Sequence, residues 1–348
     1  MAWRVWSVMA MVVFGGFLSP TAASAQGAVV GTLSVLAAPV DRVPSGGVTA
    51  EPGASGTNLT EGDRIKTGPG GLALITFLNG STVTVLPGTE VTVRQAGAAR
   101  GTTGIRMLIH AGRVWARVVQ VAGSRSTLTL ESNEYSATAN DGLIGAEQSS
   151  EGFVCWTRRG LLRIAESDGR SVAVLNAGQR AWSRFKLPVS PEPFVPSASV
   201  IEIKTSGAVV PLVRMPDGRT AAGFLAEDVE VNQVFGSLTQ ANGGQRWLVE
   251  VPGGVQGSYT LVLTGVAEGP FTVRVAAKYA GFSVYRDEIK GTVGKGERFF
   301  ARITQNVKGD DPRTARVTQG TVEELQTWTG EEPPAVLTSP VATSHPVN

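Results

Sequence analysis

Imidazole and thiol chemistry in this chain rests on three side chains, His110, His345 and Cys155. A Ser/His/Asp or Cys/His mechanism needs a histidine held by the fold. His110 lies in a strand-to-turn segment and His345 in a Pro/Ser/Thr-rich tail, so His110 reads as a structural histidine rather than a base. Two histidines and one cysteine scattered along the chain match no zinc-ligand spacing. Paired carboxylates for glycoside hydrolysis are not marked by any motif, although Asp and Glu are plentiful. Asp168, Asp217 and Asp310-Asp311 lie in oxygen-rich loops where calcium would be the ion to expect, but none has a calcium-loop spacing, and each reads as a turn residue. Gly68-Pro69-Gly70-Gly71 precedes a strand, not the helix N-terminus that a phosphate loop needs. Asp63 reads as an acceptor for turn amides or a partner of Arg64. Cys155, within Phe153-Val154-Cys155-Trp156, reads as a buried strand thiol. The expectation is a protein without enzymatic chemistry, cofactor or metal.

One constellation suggests binding. Alternation in a strand puts Arg113, Trp115 and Arg117 on one face and Val114, Ala116 and Val118 on the other. If the first face is open, an aromatic flanked by two cations could engage acidic sugars or a protein. Otherwise Trp115 belongs to a core and the arginine stems pack over a sheet edge.

The elements that must position these residues read as strands. Leu72, Leu74, Thr76 and Leu78 alternate with Ala73, Ile75 and Phe77 before Asn79-Gly80, a strong hairpin signal. Val83 and Val85 then oppose Thr82 and Thr84, and after Pro87-Gly88 Val91 and Val93 oppose Glu90, Thr92 and Arg94, so one buried and one wet face are expected. Further strands are expected over Ile105 to Ile109, Arg113 to Val121, Ser126 to Glu131, Gly152 to Trp156, Leu161 to Ala165 and Val172 to Leu175, with a turn at Ala122-Gly123-Ser124. Leu187 to Ser197, with four prolines, reads as a linker unable to sustain a ladder. Beyond it Ser258 to Leu263, Phe271 to Ala276, Phe282 to Asp287 and Arg298 to Ile303 suggest an antiparallel sandwich. Thr321 with Glu324 offers a helix start leading into Leu325 and Trp328, before a disordered tail from Glu331.

At the N-terminus, Arg4, an apolar run from Val5 to Leu18 and Ala23-Ser24-Ala25 have the three regions of a signal peptide. Cleavage is expected between Ala25 and Gln26. Removal takes away Arg4 alone and leaves 30 basic against 29 acidic residues, a balance that argues against nucleic acid or anionic lipid as the main partner. No later apolar run reaches membrane-spanning length. The expected organisation is all-β: signal peptide 1–25, β domain 26–187, linker 188–197, β-sandwich 198–309, and a short helix and tail 310–348.

Gly62-Asp63-Arg64-Ile65 with Thr67-Gly68, Phe77 with Asn79-Gly80-Ser81, Leu86-Pro87-Gly88 to Val91, and Gly112-Arg113-Val114-Trp115 resemble, in order and spacing, the FecR domain. Gly160 and Val174 to Gln179 look like its closing strands, so the resemblance covers about residues 30 to 185. It implies a β-roll or sandwich domain facing the periplasm. The family's namesake regulator joins such a domain to a membrane helix and a cytoplasmic sigma-factor-binding segment. Here a cleaved signal is expected in their place, so the sigma-factor role does not carry over. A further departure lies at Ala139-Asn140-Asp141-Gly142, where the family often has Val-Arg-Gly-Thr after a Thr-Pro pair that is here Ser132-Asn133. Pro216 to Thr220, Gly257 to Leu261 and Gly269 to Val273 look like an immunoglobulin-like sandwich module of secreted bacterial proteins. Together these imply an exported protein, periplasmic or extracellular, that binds or scaffolds an envelope protein or polysaccharide. The alternatives are a periplasmic signalling partner of an envelope receptor and a carbohydrate- or peptidoglycan-binding or hydrolysing module.

Overall fold

The computed structural model describes residues 28–99, 102–120, 125–184 and 189–328. The signal peptide with its Ala25/Gln26 cleavage, the Ala122-Gly123-Ser124 turn, Leu187 and Pro188 of the proline-rich segment, and the tail from Glu331 lie outside the described residues. Every regular element among the described residues is a strand, and none is a helix long and apolar enough to cross a membrane.

Two sheets in the N-terminal half share one long strand, Thr102–Val118. Its first part pairs with Glu90–Ala99 and, in parallel, with Arg125–Glu131. From Gly112 onward it pairs with Thr82–Val85 and Gly142–Ser149 in the other sheet. The two separate strands expected here are therefore one bent strand, and His110 sits inside it rather than at a turn. The bend has a local cause: Gly112 adopts φ +84°, and a Cβ there would lie 2.6 Å from Thr89 Cα and 2.7 Å from the Gly88 carbonyl oxygen. L side chains rarely adopt that backbone conformation. Gly112→Ala is expected to cost about 1–3 kcal/mol of stability by chemical denaturation, through left-handed strain and this contact.

Between the two sheets lies one core, with Leu33, Ile65, Ile75, Met107, Val114 and Ile144 among its members. Cys155 is buried in it, and burial pushes its thiol above the ordinary range. The expected wet face is only partly wet. Thr82 and Thr92 are half-buried, whereas Leu72, Leu74 and Thr84 are buried on the side away from this core. Register explains the shared face, because Leu74 pairs with Thr84 and Thr84 with Trp115.

The C-terminal half packs two sheets over a second core. One runs Leu238–Ala241, Arg246–Pro252, Ser199–Gly207, Gly269–Tyr279, Phe282–Val293. The other runs Glu230–Asn232, Ala221–Phe224, Val209–Arg214, Gly257–Gly265, Arg298–Lys308, Arg316–Val322. Ile201, Ile203, Val249 and Val273 from the first sheet meet Val213, Leu261, Leu263 and Ile303 from the second. The helix expected after Thr321 is corrected: Arg316–Val322 and Gln326–Thr327 are strands laid against Arg298–Lys308. Val322 and Leu325 pack on the second core. Ladder bonds and that packing outweigh a weak local helix start.

The proline-rich segment is likewise corrected. Pro191–Pro193 pairs with Gln179–Ala181 as an edge strand. Proline is tolerated at an edge, where only one side of the strand is laddered. Phe194 then donates its amide to the Gly178 carbonyl at 2.8 Å and is itself buried. Ser197 Oγ donates to the Pro312 carbonyl at 2.9 Å.

Candidate functional site

Strand alternation sends Val114, Ala116 and Val118 into the first core and Arg113, Trp115 and Arg117 to the opposite face. That face is not open. Trp115 is fully buried, because residues of the C-terminal half cover it. The exposed reading of the Arg113, Trp115 and Arg117 surface is thereby corrected. One row of the sheet runs Ser34, Leu74, Thr84, Trp115, Gly145, Trp156, Arg180. Gly145 separates the two tryptophans, and a Cβ there would come within 2.2 Å of Trp156 Nε1. Absence of a side chain lets that indole lie over the backbone.

On this floor an aromatic cluster closes. Trp156 stacks on Phe194, with ring centroids 5.5 Å apart and planes at 17°. Phe235, from the C-terminal half, meets Trp115 edge-on at 5.6 Å and Trp156 at 5.2 Å. Such geometries are favoured by the ring quadrupoles. The Arg113 guanidinium sits 4.9 Å from the Phe235 ring centre and also pairs with Glu147 at 2.8 Å.

Polar contacts complete the cover. Trp115 Nε1 donates to Asn232 Oδ1, which also accepts from Ser237 Oγ at 3.0 Å. Glu230 accepts from Arg117 Nε at 3.0 Å and, through both its oxygens, from Arg159 at 3.0 and 3.1 Å. Thr239 Oγ1 donates to the same carboxylate. Arg158 pairs with Glu250 at 2.7 Å. Burial alone would push Glu230 up, but hydrogen bonds and charge from Arg159, with the charge of Arg117, outweigh it and hold the carboxyl below its ordinary value.

The remaining motif residues build turns. Gly62 adopts φ +91° and lies against Ser45, where a Cβ would come within 2.3 Å of Ser45 Oγ. Asp63 is fully buried, accepts the amides of Ser45 at 2.8 Å and Thr60 at 2.9 Å, and pairs with Arg42 at 2.9 Å. Its partner is thus Arg42 and not Arg64, which reaches Glu90 at 3.1 Å. Adjacent residues of an extended chain point to opposite sides. Gly80 adopts φ +81° in its turn, where Asn79 Oδ1 accepts the Ser81 amide at 2.9 Å. After Pro87, Gly88 adopts φ +69° and donates its amide to the Gly68 carbonyl at 3.2 Å. Asp168, Asp217 and Asp311 each accept the amide two residues on, at 2.8 to 2.9 Å. Among the described residues no group of three His, Cys, Asp or Glu is placed to hold a metal ion. His110 Nε2 lies 2.8 Å from Thr92 Oγ1, and burial pushes its pKa below the ordinary value.

Sequence reasoning placed Trp115 and its arginines on one face but missed Gly145, Trp156, Phe194, Glu230, Asn232 and Phe235. Trp156 had a signal, since alternation puts it opposite Cys155. The others become visible only once the halves meet.

No family model matches the chain, and no curated protein matches it. Among solved structures, two crystal structures of a Parabacteroides distasonis ATCC 8503 protein, provisionally named an anti-sigma factor, are similar at 14% identity. Each aligns over 37% of this chain with a TM-score of 0.32. The chain spans 59% of the length of that protein.

Proposed function

We propose that the chain is a non-enzymatic, exported FecR-type protein that binds or scaffolds an envelope protein or polysaccharide, in the periplasm or outside the cell. The observation that supports this most is the state of Glu230. A carboxylate acting as general acid or base must reach substrate with a pKa near the working pH. Glu230 is instead covered, bonded through both oxygens and held more acidic than usual. This cluster of charge and aromatic surface therefore serves as a clasp, fixing two β-sandwich halves so that they present their outer faces together. The resemblance of residues 30 to 185 to FecR domains supplies the envelope setting.

Crosslinking in intact cells followed by capture of the full chain should recover a defined envelope component, and purified protein should leave envelope polysaccharides uncleaved. Turnover of such a polymer, abolished by replacing a single carboxylate, would overturn the reading. Crosslinking to a transmembrane receptor alone would favour the signalling alternative.

A further inference from the structure

The outer face of the five-stranded sheet carries an open groove of about 740 Å³. Three adjacent strands, Ser199–Gly207, Gly269–Tyr279 and Phe282–Val293, form its floor. Their register sets Glu202, Ala276 and Arg286 in one row and Lys204, Arg274 and Glu288 in the next. Lys204 and Lys278 both bond Glu202, at 2.9 and 2.6 Å. Arg274 and Lys290 both bond Glu288, each at 2.7 Å. Arg286 donates to Ser283 Oγ at 2.9 Å, and no carboxylate among the described residues pairs with it. Counting Asp287 of the lining and Lys290 beside it, five cations stand against three carboxylates.

The arrangement holds an excess of positive charge in place. Glu202 and Glu288 are each answered by two cations, which holds four of the five cationic heads in place before any ligand arrives. Arginine offers donors in a planar fork that matches a carboxylate. The apolar lining is limited to Val275 and Ala276. A nucleic-acid strand would need aromatic platforms for its bases, and none lines this groove.

Neighbouring strands lie about 4.8 Å apart and same-face residues along a strand about 6.8 Å apart. Cations at such intervals suit acidic groups repeated along an extended sugar chain. We propose that this groove binds a carboxylate-bearing polysaccharide laid across the three strands. This deepens the envelope-binding reading and rests on it for where the polymer is met, while the groove stands on its own geometry.

The test uses the full mature chain with alginate oligosaccharides as the probe, by calorimetric titration at low ionic strength. Binding that weakens with salt is expected, since partly exposed charges are screened. Arg286→Glu and Lys204→Gln, both at exposed positions, should each weaken it by several-fold or more, and Arg286→Glu, which breaks no ion pair among the described residues, should do so with Tm unchanged. Equal affinity in wild type and both variants would overturn the proposal. So would absence of alginate binding, or preference for polyphosphate, anionic vesicles or neutral dextran. Loss of groove binding would leave the envelope crosslinks intact, and failure of the crosslinks would leave alginate binding intact, so the two readings fail separately.

Discussion

Replacing Trp115 by alanine is expected to remove about 3–5 kcal/mol of stability, the cost of truncating a fully buried large aromatic, read from chemical denaturation. The ring fills the space between the sheet and Phe235, and its N–H is spent on Asn232. Trp115→Phe keeps most of the volume and should cost much less. Asn232 Oδ1 retains the Ser237 hydroxyl, so one hydrogen bond of about 1 kcal/mol is lost rather than a buried acceptor left bare. A solvent-facing residue would behave otherwise, since surface changes away from special features usually stay within about 0.5 kcal/mol. The alanine variant thus separates a clasp from an open docking face.

Glu230→Gln should be comparably severe. Arg117 and Arg159 would face each other across a neutral amide, and breaking a buried pair from one side costs about 3–5 kcal/mol. The Glu230 side chain is 9% exposed and the arginines 17% and 26%, so solvent screening places the loss toward the lower end. Its pH dependence has a defined sign. The Glu230 carboxyl is held below its ordinary 4.5 in the folded protein, so the unfolded chain binds the proton more readily. The stabilisation is complete above the ordinary value and is lost as pH falls through the folded value. Denaturation midpoints followed downward from about pH 5 should fall in the wild type and change less in Glu230→Gln. An identical acid profile for the two proteins would mean that Glu230 does not tie the halves together.

The all-β class was legible because its signals are local. The hairpin forms at Asn79-Gly80 between alternating runs, with Gly80 alone taking the positive φ and Asn79 Oδ1 accepting the Ser81 amide. The inward set Val114, Ala116, Val118 and the opposing set Arg113, Trp115, Arg117 followed from a two-residue period alone. That period assigns faces but does not say what lies on them. Trp115 finds Asn232 117 residues away and Arg117 finds Glu230 113 residues away, contacts that no window of sequence contains. Prolines misled for a related reason. They deny amide donors, yet Pro191 and Pro193 sit on an edge where few donors are needed. At the C-terminus, Thr321 and Glu324 suggested a helix, but the open side of Arg298–Lys308 took the segment as strands. Asp63 was recognisable as a holder of turn amides, whereas Arg42 as its partner depended on side-chain direction.

The Trp115 and Glu230 contacts should bind the two halves into one cooperative body. A proline-rich connector alone would instead leave residues 26–187 and 198–309 to melt separately. Differential scanning calorimetry of the mature chain tests this most directly. One transition is expected, with calorimetric and van't Hoff enthalpies equal, that divides into two in Trp115→Ala or Glu230→Gln. Two independent transitions in the wild-type protein, unmoved by either substitution, would contradict it.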